Sequence, residues 1–503
     1  MQTTFRFLVV LLVFFMCVPG VPAEQAPVSV STQECIECHA VTHPGIVADW
    51  ARSRHAATTP GKAMTVTGTA LKVSSRQVPE PLRDTSVGCA ECHMLRGDAH
   101  ADTFEHNGYD IHVVVSPDDC ATCHAQERAE YADNIMARAH TNLADNAVYN
   151  DLERTILGRS HHKAGKHMVF DAPDARTRAE GCYYCHGTKL AVSGTQWRDT
   201  DYGEMEFPVI EGWPNQGVGR INLDGSHGSC TSCHTRHQFS IAMARKPYTC
   251  MECHAGPDVP AYKIYAASKH GNIFSAKSDQ WRFDPVPWTV GKDFTAPTCA
   301  ACHISLLVDD EGMVINRRTH KMSDRLGWRL FGLIYAHPKP RSPDTTIIRN
   351  AAGLPLPTDL DGTPAKDYLI DAETIAQRRQ TMQSTCLACH GTGWVDAHFE
   401  RLDNTIAETN HQVRTATRLM ETAWAQGHAR GLDRGGSLFD EHIERRWMNT
   451  WLFYANATRF ASAMAGGGDY GVFEIGRYQL TSTLLDMQDW LETRQMIGTP
   501  PAP

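Results

Sequence analysis

The chain of 503 residues carries a net charge of −9, with 42% hydrophobic and 21% charged residues. So modest an acidic excess argues against a nucleic-acid partner, and the length allows roughly two to four domains. Seventeen cysteines would suggest disulfides if they were only counted, so their spacing decides how they are used.

Residues 1–23 read as a signal peptide. Arg6, an apolar run from Phe7 to Val18 and the end Val21-Pro22-Ala23 supply the charged region, apolar region and cleavage site of an export signal. The run is too short to span a bilayer, and no later stretch is long and apolar enough. A mature protein without an integral membrane segment is expected, in the periplasm or an equivalent extracytoplasmic compartment.

Cys17 lies in this leader. The other sixteen cysteines form eight Cys-x-x-Cys-His runs. In chain order these are Cys35, Cys38 and His39; Cys89, Cys92 and His93; Cys120, Cys123 and His124; Cys182, Cys185 and His186. The second four are Cys230, Cys233 and His234; Cys250, Cys253 and His254; Cys299, Cys302 and His303; Cys386, Cys389 and His390. Each run is an attachment signal for a c-type haem: two thiols add across the vinyl groups and the adjacent histidine reaches the iron. One run could arise by chance, and eight could not. Eight covalently attached haems are expected and no disulfide in the mature protein; such attachment outside the cytoplasmic membrane agrees with the leader.

Roughly one haem per 60 residues leaves too little chain to enclose each cofactor separately. The expected fold is mainly α, a multihaem cytochrome c domain over 24–398 whose closely packed haems serve as the core. Its connectors are polar and punctuated by glycine and proline. Helices are expected around Ala125–His140, Ala261–His270 and Thr374–Thr385, and Ile111–Val115 is the one short strand-like stretch. Pro338–Pro364 reads as a surface loop. The irregular motif spacing argues against identical electron-transfer modules. From 399 to 503 no motif occurs and apolar residues recur at three-to-four spacing, as in Phe399, Leu402 and Ile406 or Ile443, Trp447, Trp451 and Tyr454. This part is expected to be a bundle of two or three long helices, broken at Gly427–Gly436 and Gly466–Gly468. Its aromatic stripe reads as core or subunit contact.

Of 26 histidines, eighteen lie outside the motifs. If seven haems are capped by a second imidazole, both axial positions of each are filled, which excludes substrate and suits electron transfer. A haem without that cap keeps an open position. Candidates for caps are His55, His106, His140, His237, His270 and His320, with His162, His161, His112 or His337 as the seventh.

Longer runs carry a family resemblance. Gly217-Val-Gly-Arg-Ile-Asn-Leu-Asp-Gly-Ser-His-Gly-Ser-Cys230-Thr-Ser-Cys-His-Thr-Arg-His237 resembles the octahaem hydroxylamine oxidoreductases. So do Cys250-Met-Glu-Cys-His-Ala-Gly-Pro-Asp258, Ser268-Lys-His-Gly271, Pro297-Thr-Cys-Ala-Ala-Cys-His303 and Tyr454-Ala-Asn-Ala-Thr-Arg-Phe-Ala. The resemblance implies a homotrimer and a five-coordinate, catalytic fourth haem held by Cys182, Cys185 and His186. It further implies a tyrosine from a neighbouring subunit bonded covalently to that haem, for which Tyr470 is the match and Tyr454 the fallback. Asp258 takes the place of a distal proton acceptor. Val259 stands where the family has histidine, a departure that removes one acceptor. Met322 matches a pocket residue that varies in the family between tyrosine and methionine. No Cys-x-x-Cys-Lys run occurs, which points away from the lysine-ligated nitrite reductases.

The resulting expectation is an oxidoreductase taking hydroxylamine to nitric oxide or nitrite at the fourth haem, with a cytochrome c as electron acceptor. Its rivals are a hydrazine dehydrogenase, a reductive homologue acting on nitrite or hydroxylamine, and a multihaem electron carrier without a catalytic site.

Overall fold

Three haem motifs occupy single helical turns: Cys89–His93, Cys182–His186 and Cys299–His303. One turn sets the two cysteines three residues apart on a single face, with the histidine next along it. The structure is a computed structural model and describes residues 26–163, 167–431 and 436–498; the leader and Cys17 lie outside the described residues. Before the eighth motif the chain is built of short helices joined by turns, loops and small strands. Side chains that accept backbone N–H groups start them: Ser29 at Val30–Thr42, Asn146 at Ala147–Leu157, Ser268 at Lys269–Lys277 and Asp371 at Ala372–Leu387. Such caps replace bonds that the first turn cannot make internally.

Two expected helices are each divided. Ala125–His140 becomes Ala125–Ala132 and Ala139–Ala144, and Ala261–His270 becomes Ala261–Ala267 and Lys269–Lys277, because Ser268 turns extended to cap the second piece. The strand expected at Ile111–Val115 ends at Ile111; beyond it the N–H groups of Val113 and Val114 donate to Asp102 at 2.9 Å each. Strands are more numerous than expected, with five small sheets among the described residues. The longest is an antiparallel hairpin of Ala191–Thr200 and Gly203–Glu211, in register from Ala191 opposite Glu211 to Thr200 opposite Gly203, with a shift between Val192 and Gly194. It is mostly exposed, so no apolar alternation marks it.

The loop Pro338–Pro364 is not purely a surface feature. Leu356 within it is fully buried and joins the largest apolar cluster. That cluster is built by the C-terminal helices. Thr392–Ala425 contributes Val413 and Met420, His442–Asn449 contributes Trp447, and Arg477–Ile497 contributes Leu480, Met487 and Leu491. Trp451 sits in a π-helical turn, Thr450–Tyr454, that joins His442–Asn449 to Ala455–Ala463. The aromatic stripe is therefore core: Trp447 and Trp451 are both fully buried. The boundary expected between 398 and 399 falls inside the 34-residue helix, which starts at Thr392, directly after Gly391 ends the eighth motif. A second cluster gathers Trp281, Phe283, Trp288 and Phe294 around Phe274.

Behind the second motif lies a buried ionic cluster. His100 Nε2 meets Asp119 at 3.1 Å and its Nδ1 is 3.7 Å from Asp102. Its ring stacks on His112 with centroids 3.7 Å apart, and Arg96 bridges Asp119 and Asp224 at 3.0 and 3.2 Å. Burial alone would lower the His100 pKa, but the Asp102 and Asp119 carboxylates outweigh it and hold the imidazole up to about 9. A folded-state value above the ordinary 6.5 means that the stabilisation is complete below about pH 6.5 and disappears as pH rises through about 9. His100→Gln should therefore lower stability by about 3 kcal/mol at pH 6, the usual cost of breaking a buried ion pair. The difference from wild type should shrink by pH 10. Thermal unfolding followed across this range checks it, and a gap independent of pH would contradict it.

Candidate haem and active site

Two imidazoles bonded to one iron from opposite faces, each at about 2 Å, hold their ring centroids about 6 Å apart. Four motif histidines have a second histidine at that separation. His39 faces His106 at 6.2 Å, His124 faces His55 at 6.2 Å, His234 faces His320 at 6.4 Å and His390 faces His270 at 6.1 Å. All four opposing histidines were caps suggested by sequence.

The second motif differs. His112 lies 6.0 Å from His93, yet its ring nitrogens point to the carbonyls of Val114 and Leu95 at 3.1 and 2.9 Å. Its role is to orient: His93 Nδ1 bonds the His112 carbonyl at 2.7 Å, the kind of support that fixes the tautomer of a ligating histidine. His237 is also close enough to act on His93.

His140 packs on Tyr183 of the fourth motif, centroids 4.8 Å apart, and its Nδ1 bonds the Gly187 carbonyl at 2.7 Å. His162 is exposed on the hairpin of Arg159–Lys163 and His167–Asp171, so this chain does not bring it to a motif. His337 behaves otherwise. It is 1% exposed, its Nδ1 bonds the Pro338 carbonyl at 2.7 Å, and its Nε2 is buried without a hydrogen-bond partner. A nitrogen so placed is free to ligate a metal. His227 carried no spacing signal in the sequence, yet its Nδ1 is also buried and unpartnered.

The residues fit c-type haem in further ways. All sixteen motif cysteines are free. Thiols of separate motifs lie within hydrogen-bonding reach: Cys120 with Cys230, Cys185 with Cys253, and Cys250 with Cys299. The third and fifth motifs are thus neighbours, and the fourth, sixth and seventh form a continuous set. Burial, with cationic neighbours around them, pushes Lys72 and Lys339 each down to about 7. Interior cations so disfavoured match the anionic propionates that haem carries.

Around the fourth motif the backbone is pressed close. Gly187, with φ +89°, follows His186, and a Cβ there would meet Arg220 N at 2.2 Å. A Cβ on Gly217 would meet Gly187 N at 2.3 Å, and one on Gly219 would meet Ala139 N at 2.6 Å. Only glycine permits this approach, which gives the Gly217-Val-Gly219 run a physical reason. Val218 N–H donates to the Cys185 carbonyl at 3.0 Å, and Arg178 links Tyr183 to Glu153.

Asp258 lies in the turn between the sixth motif and the Ala261–Ala267 helix, where Pro257 and Pro260 prevent continuous helix. Its carboxylate is close enough to act on Cys182, Cys185, His186 and His254. The carboxylate is exposed in the single chain. Asn456 holds the turn by donating to the Asp258 carbonyl at 3.1 Å. Tyr470 begins the π-helical turn Tyr470–Glu474 and is half-buried, with Lys263 Nζ 5.7 Å from its ring centre. Burial, with Glu474 and Asp258 near it, pushes its phenol above the ordinary value. Gly466 and Gly467 let the preceding chain close on Ser268 and Ile264. Met322 accepts from Asn134 Nδ2 at 2.6 Å, and its carbonyl lies within reach of the His303 imidazole; these contacts attach it to the seventh motif.

Residues 219–322 match a family described as seven times multi-haem cytochrome CxxCH. A probable nitrite reductase-hydroxylamine oxidoreductase fusion protein of Kuenenia stuttgartiensis is 25% identical over 403 residues, covering 78% of this chain and 38% of that protein. The chain thus spans well under half the length of this curated relative. A reducing HAO-like protein complex of the same organism shares the fold, with TM-score 0.59 and 18% identity over 93% of this chain and 86% of that one. No helix of the described residues is long and apolar enough to cross a membrane. A solved structure titled hypothetical multiheme protein is 38% identical, covers 94% of this chain and 98% of its own, and superposes with TM-score 0.87. With that match and its Cys-x-x-Cys-His runs, the chain belongs to the multihaem c-type cytochromes.

Proposed function

We propose that the protein oxidises a small nitrogen compound, with hydroxylamine converted to nitric oxide or nitrite at the fourth motif and electrons passed to a cytochrome acceptor. The observation that carries this reading is the closeness of the Asp258 carboxylate to Cys182, Cys185 and His186. Haem held there by one histidine would supply an open iron for substrate nitrogen and a first electron acceptor.

The chain's own residues do the rest. Asp258, exposed and steadied by Asn456, takes protons from substrate N–H and O–H groups and passes them to solvent as general base. The pairs His39–His106, His55–His124, His234–His320 and His270–His390 would each hold a haem iron between two imidazoles, which would exclude substrate there. His237 and His337 would extend the same capping to two further motifs, His337 in place of His162. His140 bonds the backbone behind the fourth motif and keeps that turn in place. Tyr470 supplies the covalent bond that biases the site toward oxidation, in a homotrimer of exported chains. Val259 leaves Asp258 without an adjacent imidazole.

A second reading, reduction of nitrite or hydroxylamine, is favoured by the double name of the curated relative. Hydrazine is the alternative oxidisable substrate, since the same open iron and proton acceptor would serve it. Assays of hydroxylamine and hydrazine with oxidised cytochrome c, and of nitrite with a reduced donor, separate the three. The proposal expects fastest turnover with hydroxylamine; turnover only with nitrite would reverse the direction.

Asp258→Asn should slow hydroxylamine oxidation by about 100-fold, within the range of a lost general base, at unchanged haem content. A wild-type rate would take Asp258 out of the mechanism. Tyr470→Phe should give a fully haem-loaded protein whose oxidative turnover falls and whose haem-peptide adduct at Tyr470 is absent by mass spectrometry. A wild-type protein lacking that adduct would argue for the reductive reading.

A further inference from the structure

We propose that Lys72 binds a propionate carboxylate of the third haem, the one attached at Cys120 and Cys123. Lys72 Nζ is buried and has no hydrogen-bond partner. An ammonium group withdrawn from water without a partner is costly, and lysine ordinarily extends its head to solvent instead. The segment is tied to the third motif on both sides. His124 Nδ1 bonds the Lys72 carbonyl at 3.1 Å, and the N–H groups of Ser74 and Ser75 donate to the Cys123 carbonyl at 3.1 and 3.0 Å. His55, which faces His124, follows Arg54 directly.

The charges that act on Lys72 are Arg54, Arg245, Arg318 and Glu127. Glu127 is already committed, pairing with Arg318 at 2.5 Å and accepting from Ser74 Oγ. Arg245 donates to the carbonyls of Phe283 and Pro285 at 2.7 and 2.6 Å, with Asp284 and Asp293 near it. Arg54 reaches the carbonyl oxygen of Asp284 at 2.8 Å. Lys72 is left with no carboxylate of its own, among cations, beside an axial pair. The anion that a c-type haem brings to such a place is its propionate. Bound there, the carboxylate would receive the ammonium in a charge-assisted hydrogen bond, and the positive charge would favour the reduced iron.

The inference rests on haem attachment at the third motif with His55 and His124 as its axial pair. Loss of one low-spin signal in His55→Ala tests that premise separately. The test of Lys72 itself compares the haem-loaded wild type with Lys72→Met and Lys72→Arg in spectroelectrochemical titrations at low and high phosphate, with intact mass establishing equal haem content. Lys72→Met should lower the potential of one component of the titration, Lys72→Arg should restore it, and phosphate should leave the wild-type component unmoved. Identical titrations for all three proteins would overturn the assignment. So would a wild-type component that moves with phosphate, which would mark Lys72 as a site for a free anion.

Discussion

The separation between opposed imidazoles is the constraint on which the rest of this structure depends. Four pairs drawn from distant parts of the chain sit 6.1 to 6.4 Å apart, although each histidine arrives on a different short helix, strand or turn. His320 reaches His234 from a turn whose backbone N–H donates to Glu130, and His106 reaches His39 from a small hairpin. A polypeptide with few long elements before its eighth motif has little apolar surface with which to build a conventional core. The two apolar clusters lie elsewhere, one under the C-terminal helices and one around Trp288. Between them the chain behaves as a scaffold of ligands, caps and interior cations shaped to enclose haem.

That organisation explains what could be read from residues alone. The attachment motifs need no tertiary context, because the chemistry lies in a five-residue spacing. His55, His106, His270 and His320, the four histidines that face motif histidines, were singled out in the sequence because they stand near motifs. His337 was harder to favour: it precedes a proline in a stretch that reads as loop, and its merit is a buried, unpartnered Nε2 that only packing reveals. The exposed hairpin Ala191–Glu211 escaped notice because neither face is buried enough to leave alternating apolar residues. In the C-terminal part the period of apolar residues led directly to Trp447 and Trp451 in the core. Helix breaks at Asp133–Arg138 and at Ser268 were set by caps and neighbouring turns, which outweigh local helix preference.

The candidate site has the same mixture. Asp258 and Tyr470 were singled out by resemblance; the fold sets Asp258 beside the fourth motif in a proline-bracketed turn held by Asn456, and Tyr470 near Asp258 after a glycine pair that lets one loop close on Ser268 and Ile264. The carboxylate proves exposed, which suits a group that must exchange protons with water as well as with substrate. Met322, by contrast, is engaged with Asn134 and the seventh motif, so any influence it has on substrate passes through that neighbouring site. On the proposed reading, the continuity of the fourth, sixth and seventh motifs would give electrons leaving the fourth an immediate path away from it.

The central claim is that one iron keeps an open axial position at the fourth motif while its companions are closed. Electron paramagnetic resonance of the oxidised, haem-loaded protein tests it most directly, with His186→Lys used to assign the signal. The account predicts a single high-spin component, and that this component alone changes in the variant. Uniformly low-spin haems, or a high-spin signal that the His186 substitution leaves untouched, would contradict it.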